Sequence, residues 1–174
     1  MPEQQWPITD TLTTMASALR ARLNEQGRRD IALIGIHTGG VWIAQALHRE
    51  LAIEAPLGEI NITFYRDDFS RIGMHPRVKP SNLPFEVEDR HIVLADDVLY
   101  TGRTIRAALN EIFDYGRPAS VTLAVLVDRG ERELPIQADI VGQRITPAAG
   151  EHVKLLGPEP LSLITKGTGD QKPA

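Results

Sequence analysis

The chain contains no cysteine. Disulfide scaffolds, thiolate zinc sites and cysteine nucleophiles are therefore excluded, and the composition is compatible with the cytosol. No apolar run approaches the ~20 residues that a membrane-spanning helix needs. Met1 to Asp10 is polar and carries Pro2 and Pro7, so no secretory signal is expected there. Positive charge is not in excess: the formal net charge is −4. A basic footprint over the whole domain is excluded, while a local basic patch is not. There is no internal repeat and no low-complexity block.

What is present is ordinary for a globular protein. The 174 residues, 42% hydrophobic and 24% charged, suffice for one domain with a core and argue against disorder. One domain over residues 1–174 is expected, with an ordered core over 10–165 and a flexible polar tail over 166–174.

From Asp10 to Gly27, Leu12, Met15, Ala16, Leu19 and Leu23 fall at helical spacing, with Thr9 or Asp10 as the cap. Ile31 to Ile36 is a continuous apolar run, read as a strand covered on both faces. His37-Thr38-Gly39-Gly40 interrupts it. A second helix follows on Val41, Ala44, Leu47 and Leu51. Glu59 to Tyr65 alternates, as a half-buried strand does. Arg66 to Pro84 is polar and proline-containing; so long a loop in a compact domain is usually functional or mobile. Arg90 to Ala95 is an apolar strand, and Ile105, Ala108, Leu109, Ile112 and Phe113 mark a third helix, ended by Gly116 and Pro118. Val121 to Val127 is a strand. Weaker strand signals lie near Ile140–Val141 and His152–Leu156.

Strands alternating with helices predict an α/β domain with a mostly parallel sheet. Ligands of such sheets bind outside the carboxyl ends of the strands. His37–Gly40, Asp96–Thr104 and Asp128–Gly130 all leave strands on that side and are expected to converge.

The segment Asp96-Asp97-Val98-Leu99-Tyr100-Thr101-Gly102-Arg103-Thr104 holds the chemistry. A strand delivers two carboxylates, and a hydroxyl-rich turn leads into a helix N-terminus. Free N–H groups and the helix dipole favour a phosphate there. Gly102 permits close backbone approach. Thr101 and Thr104 add hydroxyl donors, and Arg103 adds charge. Asp96 and Asp97 suit the vicinal hydroxyls of a sugar. An isolated Asp-Asp would read as a helix cap and surface loop, or as a magnesium site; the phosphate turn behind it favours a sugar phosphate.

This segment resembles the phosphoribosyl pyrophosphate (PRPP) motif of type I phosphoribosyltransferases. The resemblance is closest to the branch that combines uracil phosphoribosyltransferase activity with regulation of pyrimidine genes. Tyr65-Arg66-Asp67-Asp68, Tyr115-Gly116-Arg117-Pro118 and Leu126 to Ile136 are similar to segments of that branch too, and the likeness runs from about Asp30 to about Leu156. It implies a central, mostly parallel twisted sheet flanked by helices, with a small hood formed by C-terminal strands. It implies that uracil and PRPP give UMP and pyrophosphate, with Mg²⁺ bound mainly through PRPP. Asp96 and Asp97 would bind ribose hydroxyls. Thr101 to Thr104 would hold the 5′-phosphate, within a binding segment that includes Val98, Leu99 and Tyr100. Thr38, Gly39 and Gly40 occupy the pyrophosphate loop. Gly39 departs from the branch, which often carries arginine there; a Gly-Gly loop still offers an anion nest. Arg66 to Pro84 covers the flexible loop that closes over substrate, with Arg66 as a catalytic candidate. Arg129 and Val153 match the part that meets the base.

The same resemblance implies a pyrimidine-operon leader mRNA as a partner, bound in response to UMP or UTP so that transcription is attenuated. Arg20, Arg22, Arg28, Arg29, Arg71, Arg77 and Lys79 are the cations available for it. It also implies a cytoplasmic homodimer or higher homo-oligomer. The alternatives are a phosphoribosyltransferase for another base, since the sugar-phosphate motif does not report the base, and an RNA-binding regulator with little catalytic activity. Arg71 and Arg77, like Arg66, offer charge to a phosphate or form a solvated loop surface. Asp128 is a candidate general base or a strand-end turn residue. His37, His48, His75, His91 and His152 lack metal-ligand spacing and are expected as solvated or core side chains. Trp6 and Trp42 are expected as packing anchors.

Overall fold

The computed structural model describes residues 5–62 and 80–167. Its centre is the apolar run that becomes β2 (Ile31–Ile36), in which Ala32 to Ile36 are all buried. A strand without polar side chains needs cover on both faces, and β2 has it. Four further strands lie beside it: β3 (Gly58–Ile60), β4 (His91–Leu99), β5 (Ser120–Asp128) and β6 (Ile140–Arg144). Their order is β3-β2-β4-β5-β6, and every pair is parallel.

Side-chain alternation divides the sheet between two cores. On one face Leu33, Val93, Ala95, Ala124 and Leu126 meet α1 (Thr9–Glu25) and α2 (Gly39–Leu51), through Leu12, Met15, Leu19, Ile43 and Leu47. On the other, Ala32, Ile34, Ile92, Leu94 and Val125 meet Ile105, Ala108 and Ile112 of α3 (Arg103–Tyr115). The expected helical faces are thus turned inward, Leu51 and Leu109 partly buried and the rest buried, with one exception. Phe113 is 57% exposed. It follows Ile112, which is fully buried, by about 100° of helical rotation, and this takes it off the face that meets the sheet.

A second, three-stranded sheet forms the hood, in the order β1-β8-β7. It contains β1 (Gln5–Pro7), β7 (Glu151–Leu156) and β8 (Ser162–Gly167). The expected C-terminal strands are there, and a strand from the other end of the chain joins them. β1 pairs antiparallel with β8, Trp6 opposite Leu163. Three residues before a helix carry too little pattern to read as a strand. Likewise β8 runs to Gly167, past the expected edge of the tail at Lys166, because β7 supplies partners up to Glu151↔Gly167. The remaining tail, 168–174, lies outside the described residues.

Other boundaries also move. β3 is shorter than the predicted strand Glu59–Tyr65; its outer side bonds Glu59 to Asn82, and 63–65 lie outside the described residues. Ile8, with no side-chain cap bond, precedes α1 in place of the expected Thr9 or Asp10 cap. Asp10 sits in the first turn, where its charge favours the helix dipole. Trp42 packs as expected, against Gly157 of the hood.

Candidate active site

β4 does not stop at Ala95. Its pairing with β5 keeps one register from His91↔Ser120 to Leu99↔Asp128, so Asp96 and Asp97 lie inside the strand. This corrects the expectation that the acids follow it. Alternation along the strand separates the two carboxylates. Asp96 is only 5% exposed and accepts the Asp97 N–H at 2.9 Å. Asp97 is half-buried, and its Oδ1 accepts the Val98 N–H at 2.8 Å.

Because β2 is the direct neighbour of β4, the loop after β2 meets the acids. A β-carbon on Gly40 would fall 2.7 Å from the Ala95 carbonyl oxygen and 3.1 Å from Asp96 Cα. Gly39 faces the Asp97 carboxylate in the same way. The two glycines thus let the loop lie directly on the acid pair. The loop is tied from its other side by His37, whose Nε2 lies 2.8 Å from Glu59 Oε2 and whose backbone N–H donates to the Ile60 carbonyl.

After β4 the chain turns through Tyr100, Thr101 and Gly102 into α3. Gly102 has φ +94°, a left-handed conformation that glycine adopts without strain. The Arg103 N–H donates to Thr101 Oγ1 at 3.2 Å. Among the described residues the amides of Thr101, Gly102, Thr104 and Ile105 donate to no other group. Four free N–H groups at a helix start are donors of the kind that can receive an anion.

Two of the expected binding residues are placed differently. The Leu99 side chain is 1% exposed and belongs to the core, so only its backbone reaches the site. The Arg103 guanidinium is engaged by Glu133 at 2.7 Å, in a pair whose side chains are both exposed. Arg66 and most of the predicted closing loop lie outside the described residues.

The segment after β5 wraps the turn. The Arg129 guanidinium stacks 3.7 Å above the centre of the Tyr100 ring, and its buried Nε has no hydrogen-bond partner among the described residues. Glu131 lies 3.6 Å from the same guanidinium. Leu134 and Ile136 back Gly102; a β-carbon there would meet Ile136 Cγ1 at 3.0 Å. Asp128 ends β5, 5% exposed, and holds Arg132 at 2.8 Å, Arg144 at 3.0 Å and the Gly130 N–H at 3.0 Å. Burial raises its carboxyl pKa; the Arg132 and Gly130 hydrogen bonds and the charges of Arg132 and Arg144 outweigh burial and hold it below its ordinary value. A carboxylate so held is a poor proton acceptor, which favours the turn role over the general base. Val153 on β7 is partly buried and packs on the same core as Val98. Arg132 and Leu134 lie in the segment Leu126 to Ile136 that carries the resemblance, but nothing local marks their contact with the turn, which lies about thirty residues earlier in the chain.

The family model for the phosphoribosyl transferase domain matches residues 9–156. A curated relative, Bifunctional protein PyrR of Nitrosococcus oceani, is 65% identical over 84% of this chain and 84% of its own. The protein of the same name in Pseudomonas aeruginosa is 58% identical over 90% of this chain and 92% of its own. Among solved structures, the hypoxanthine phosphoribosyltransferase of Trypanosoma cruzi aligns with a TM-score of 0.61 at 22% identity, over 79% of this chain and 77% of that one. That last likeness concerns the fold alone.

Proposed function

The chain belongs to the PyrR branch of the phosphoribosyltransferase family, and from that premise we propose that it is a uracil phosphoribosyltransferase that also answers uridine nucleotides as a regulator of pyrimidine genes. One observation carries the catalytic part. An acid pair, a glycine loop and a turn of free amides adjoin at the carboxyl ends of neighbouring parallel strands.

In the reaction the bond between C1′ of PRPP and pyrophosphate breaks, and its electron pair leaves with the pyrophosphate. Uracil N1 bonds to C1′ and releases its proton to solvent. The ribose is oxocarbenium-like between these events, by analogy with glycosyl transfer. The protein's contribution is orientation and fixed charge. Asp97 accepts hydrogen bonds from ribose hydroxyls, with Asp96 beneath it. The amides of Thr101, Gly102, Thr104 and Ile105 hold the 5′-phosphate. The Thr38–Gly40 loop receives the pyrophosphate. Arg129 and Val153 border the base. The segment from Arg66 to Pro84, most of which lies outside the described residues, remains the candidate for excluding water, and Arg66 the catalytic candidate within it.

Magnesium fits this donor set. Two adjacent carboxylates are present, and the described residues contain no cluster of three metal-ligating side chains. Such a site suits a hard cation held mainly by substrate oxygens. When bound, it neutralises charge on the leaving pyrophosphate.

For regulation, the relatives carry the name "Bifunctional protein". Arg20 bonds the Glu50 carbonyl, Arg22 bonds Asp139 and Arg28 bonds Thr122; these contacts fix three of the expected cations along α1 and its C-terminal turn. The described residues contain no helix long and apolar enough to cross a membrane. A phosphorylated substrate that does not cross membranes supports a cytoplasmic setting. Exposed Phe113 and Tyr115 support self-association.

Pyrophosphate release should be measured with uracil, hypoxanthine, guanine and orotate. Uracil should be turned over in the presence of PRPP and Mg²⁺. Turnover of a purine with none of uracil would replace this reading by that of another base. A gel shift with a pyrimidine-operon leader RNA, with and without UMP, tests the regulator; no shift in either lane at modest salt removes that role.

A further inference from the structure

Arg132 touches none of the amides assigned to the phosphate, yet it carries four polar contacts. Its Nε donates to the Ile136 carbonyl at 2.8 Å. Its Nη1 donates to the Tyr100 carbonyl at 2.9 Å and to the Gly130 carbonyl at 3.3 Å. Its Nη2 lies 2.8 Å from Asp128 Oδ1. One planar guanidinium thus joins the end of β5, the strap 130–136 and the turn after β4. The neighbouring strap completes the join: the Glu133 and Leu134 N–H groups both donate to the Thr101 carbonyl, at 2.9 and 3.1 Å.

These contacts decide where the turn's donors point. In a planar trans peptide the carbonyl and the N–H of one unit point in opposite directions. The units 100–101 and 101–102 are both trans. Arg132 draws the Tyr100 carbonyl outward, so the Thr101 N–H faces away from the strap. The Glu133 and Leu134 amides draw the Thr101 carbonyl outward, so the Gly102 N–H does the same. Both are among the unpartnered amides of the turn. Without the brace, a loop containing a left-handed glycine has peptide units free to rotate, and an anion site gains most when its donors are oriented in advance.

We propose that Arg132, anchored by Asp128, is a positioning residue that turns the Thr101 and Gly102 amides toward the 5′-phosphate. The inference rests on the reading of that turn as the phosphate site. It assigns Arg132 no contact with the nucleotide. The geometry confines the effect to ligands that bear a 5′-phosphate.

The experiment compares UMP with uridine by titration calorimetry in the wild-type protein, Arg132→Met and Arg132→Lys. Wild type should bind UMP more tightly than uridine. Arg132→Met should reduce that ratio by about tenfold, the scale of a lost charge-assisted hydrogen bond, with uridine affinity unchanged. Arg132→Lys keeps the charge but not the fork, and should fall between them. Amide resonances of Thr101 and Gly102 should shift with UMP in wild type and lose most of that shift in the variants. An unchanged ratio in either folded variant would overturn the inference while leaving the phosphate site standing; equal losses for both ligands would do the same. If Arg132→Met does not fold, Arg132→Lys decides by the same criterion. Wild-type protein that binds UMP no better than uridine would overturn the phosphate site itself, and this inference with it.

Discussion

Gly39 lies against Asp97: a β-carbon added at position 39 would fall 2.7 Å from Cγ of Asp97 and 3.0 Å from its Cβ. The carboxylate can rotate away, but the Asp97 Cβ is fixed to β4. An added side chain therefore displaces either the acid or the loop. Gly39→Ala should lower turnover by about tenfold or more, with little change in thermal stability, since the site loses alignment and the core loses nothing. Gly39→Arg carries the same β-carbon and should lower turnover likewise. Steady-state kinetics with PRPP varied, beside a thermal melt, check both variants.

Asp97→Asn keeps the shape of the side chain and removes its charge. A ribose hydroxyl bonded to a carboxylate is worth about 1.5–3 kcal/mol, so turnover should fall by roughly 10- to 100-fold. The melting temperature should stay near that of wild type. Wild-type rates in this variant would remove the acid pair from the mechanism.

Gly102 is held at φ +94°, and a β-carbon there would also press on Ile136. Gly102→Ala should cost about 1–2 kcal/mol of stability. UMP affinity should fall at the same time, because the turn cannot keep its amides in place. Denaturant unfolding and UMP titration measure the two effects separately.

Asp128 gives the chain a defined acid response. Its carboxyl is held below the ordinary value of 3.8, so the folded state favours the ionised form. The stabilisation is complete above the unfolded value, near pH 4, and is lost as pH falls through the lower folded value. Asp128→Asn should cost about 2 kcal/mol at pH 7, since Arg132 and Arg144 lose their anion. The difference between variant and wild type should stay level from pH 7 to about 5 and shrink below about 4. Denaturant midpoints across that range test the sign; a difference that grows on acidification would contradict it.

Two adjacent residues of α3 should respond in opposite ways. Ile112 is fully buried and Phe113 is 57% exposed. Ile112→Ala should cost about 2–5 kcal/mol. Phe113→Ser should change the stability of the isolated chain by no more than about 0.5 kcal/mol. Sequence periodicity put both on one apolar face, and urea unfolding separates them.

Local chemistry determined much of this protein. The apolar runs of β2, β4 and β5 are strands because nothing in them tolerates water, and their spacing with three amphipathic helices dictates a parallel sheet. The acids at 96 and 97 and the glycine turn after them were legible because each signal lies within a few neighbouring residues. Tertiary structure decided what depends on partners distant along the chain. β5 carries β4 past Ala95, β8 makes a strand of Gln5–Pro7, and Arg132 reaches Tyr100 from 32 residues away. Pattern records whether a residue seeks burial or a bond; only the folded chain, by bringing remote backbone within hydrogen-bond reach, selects the partner.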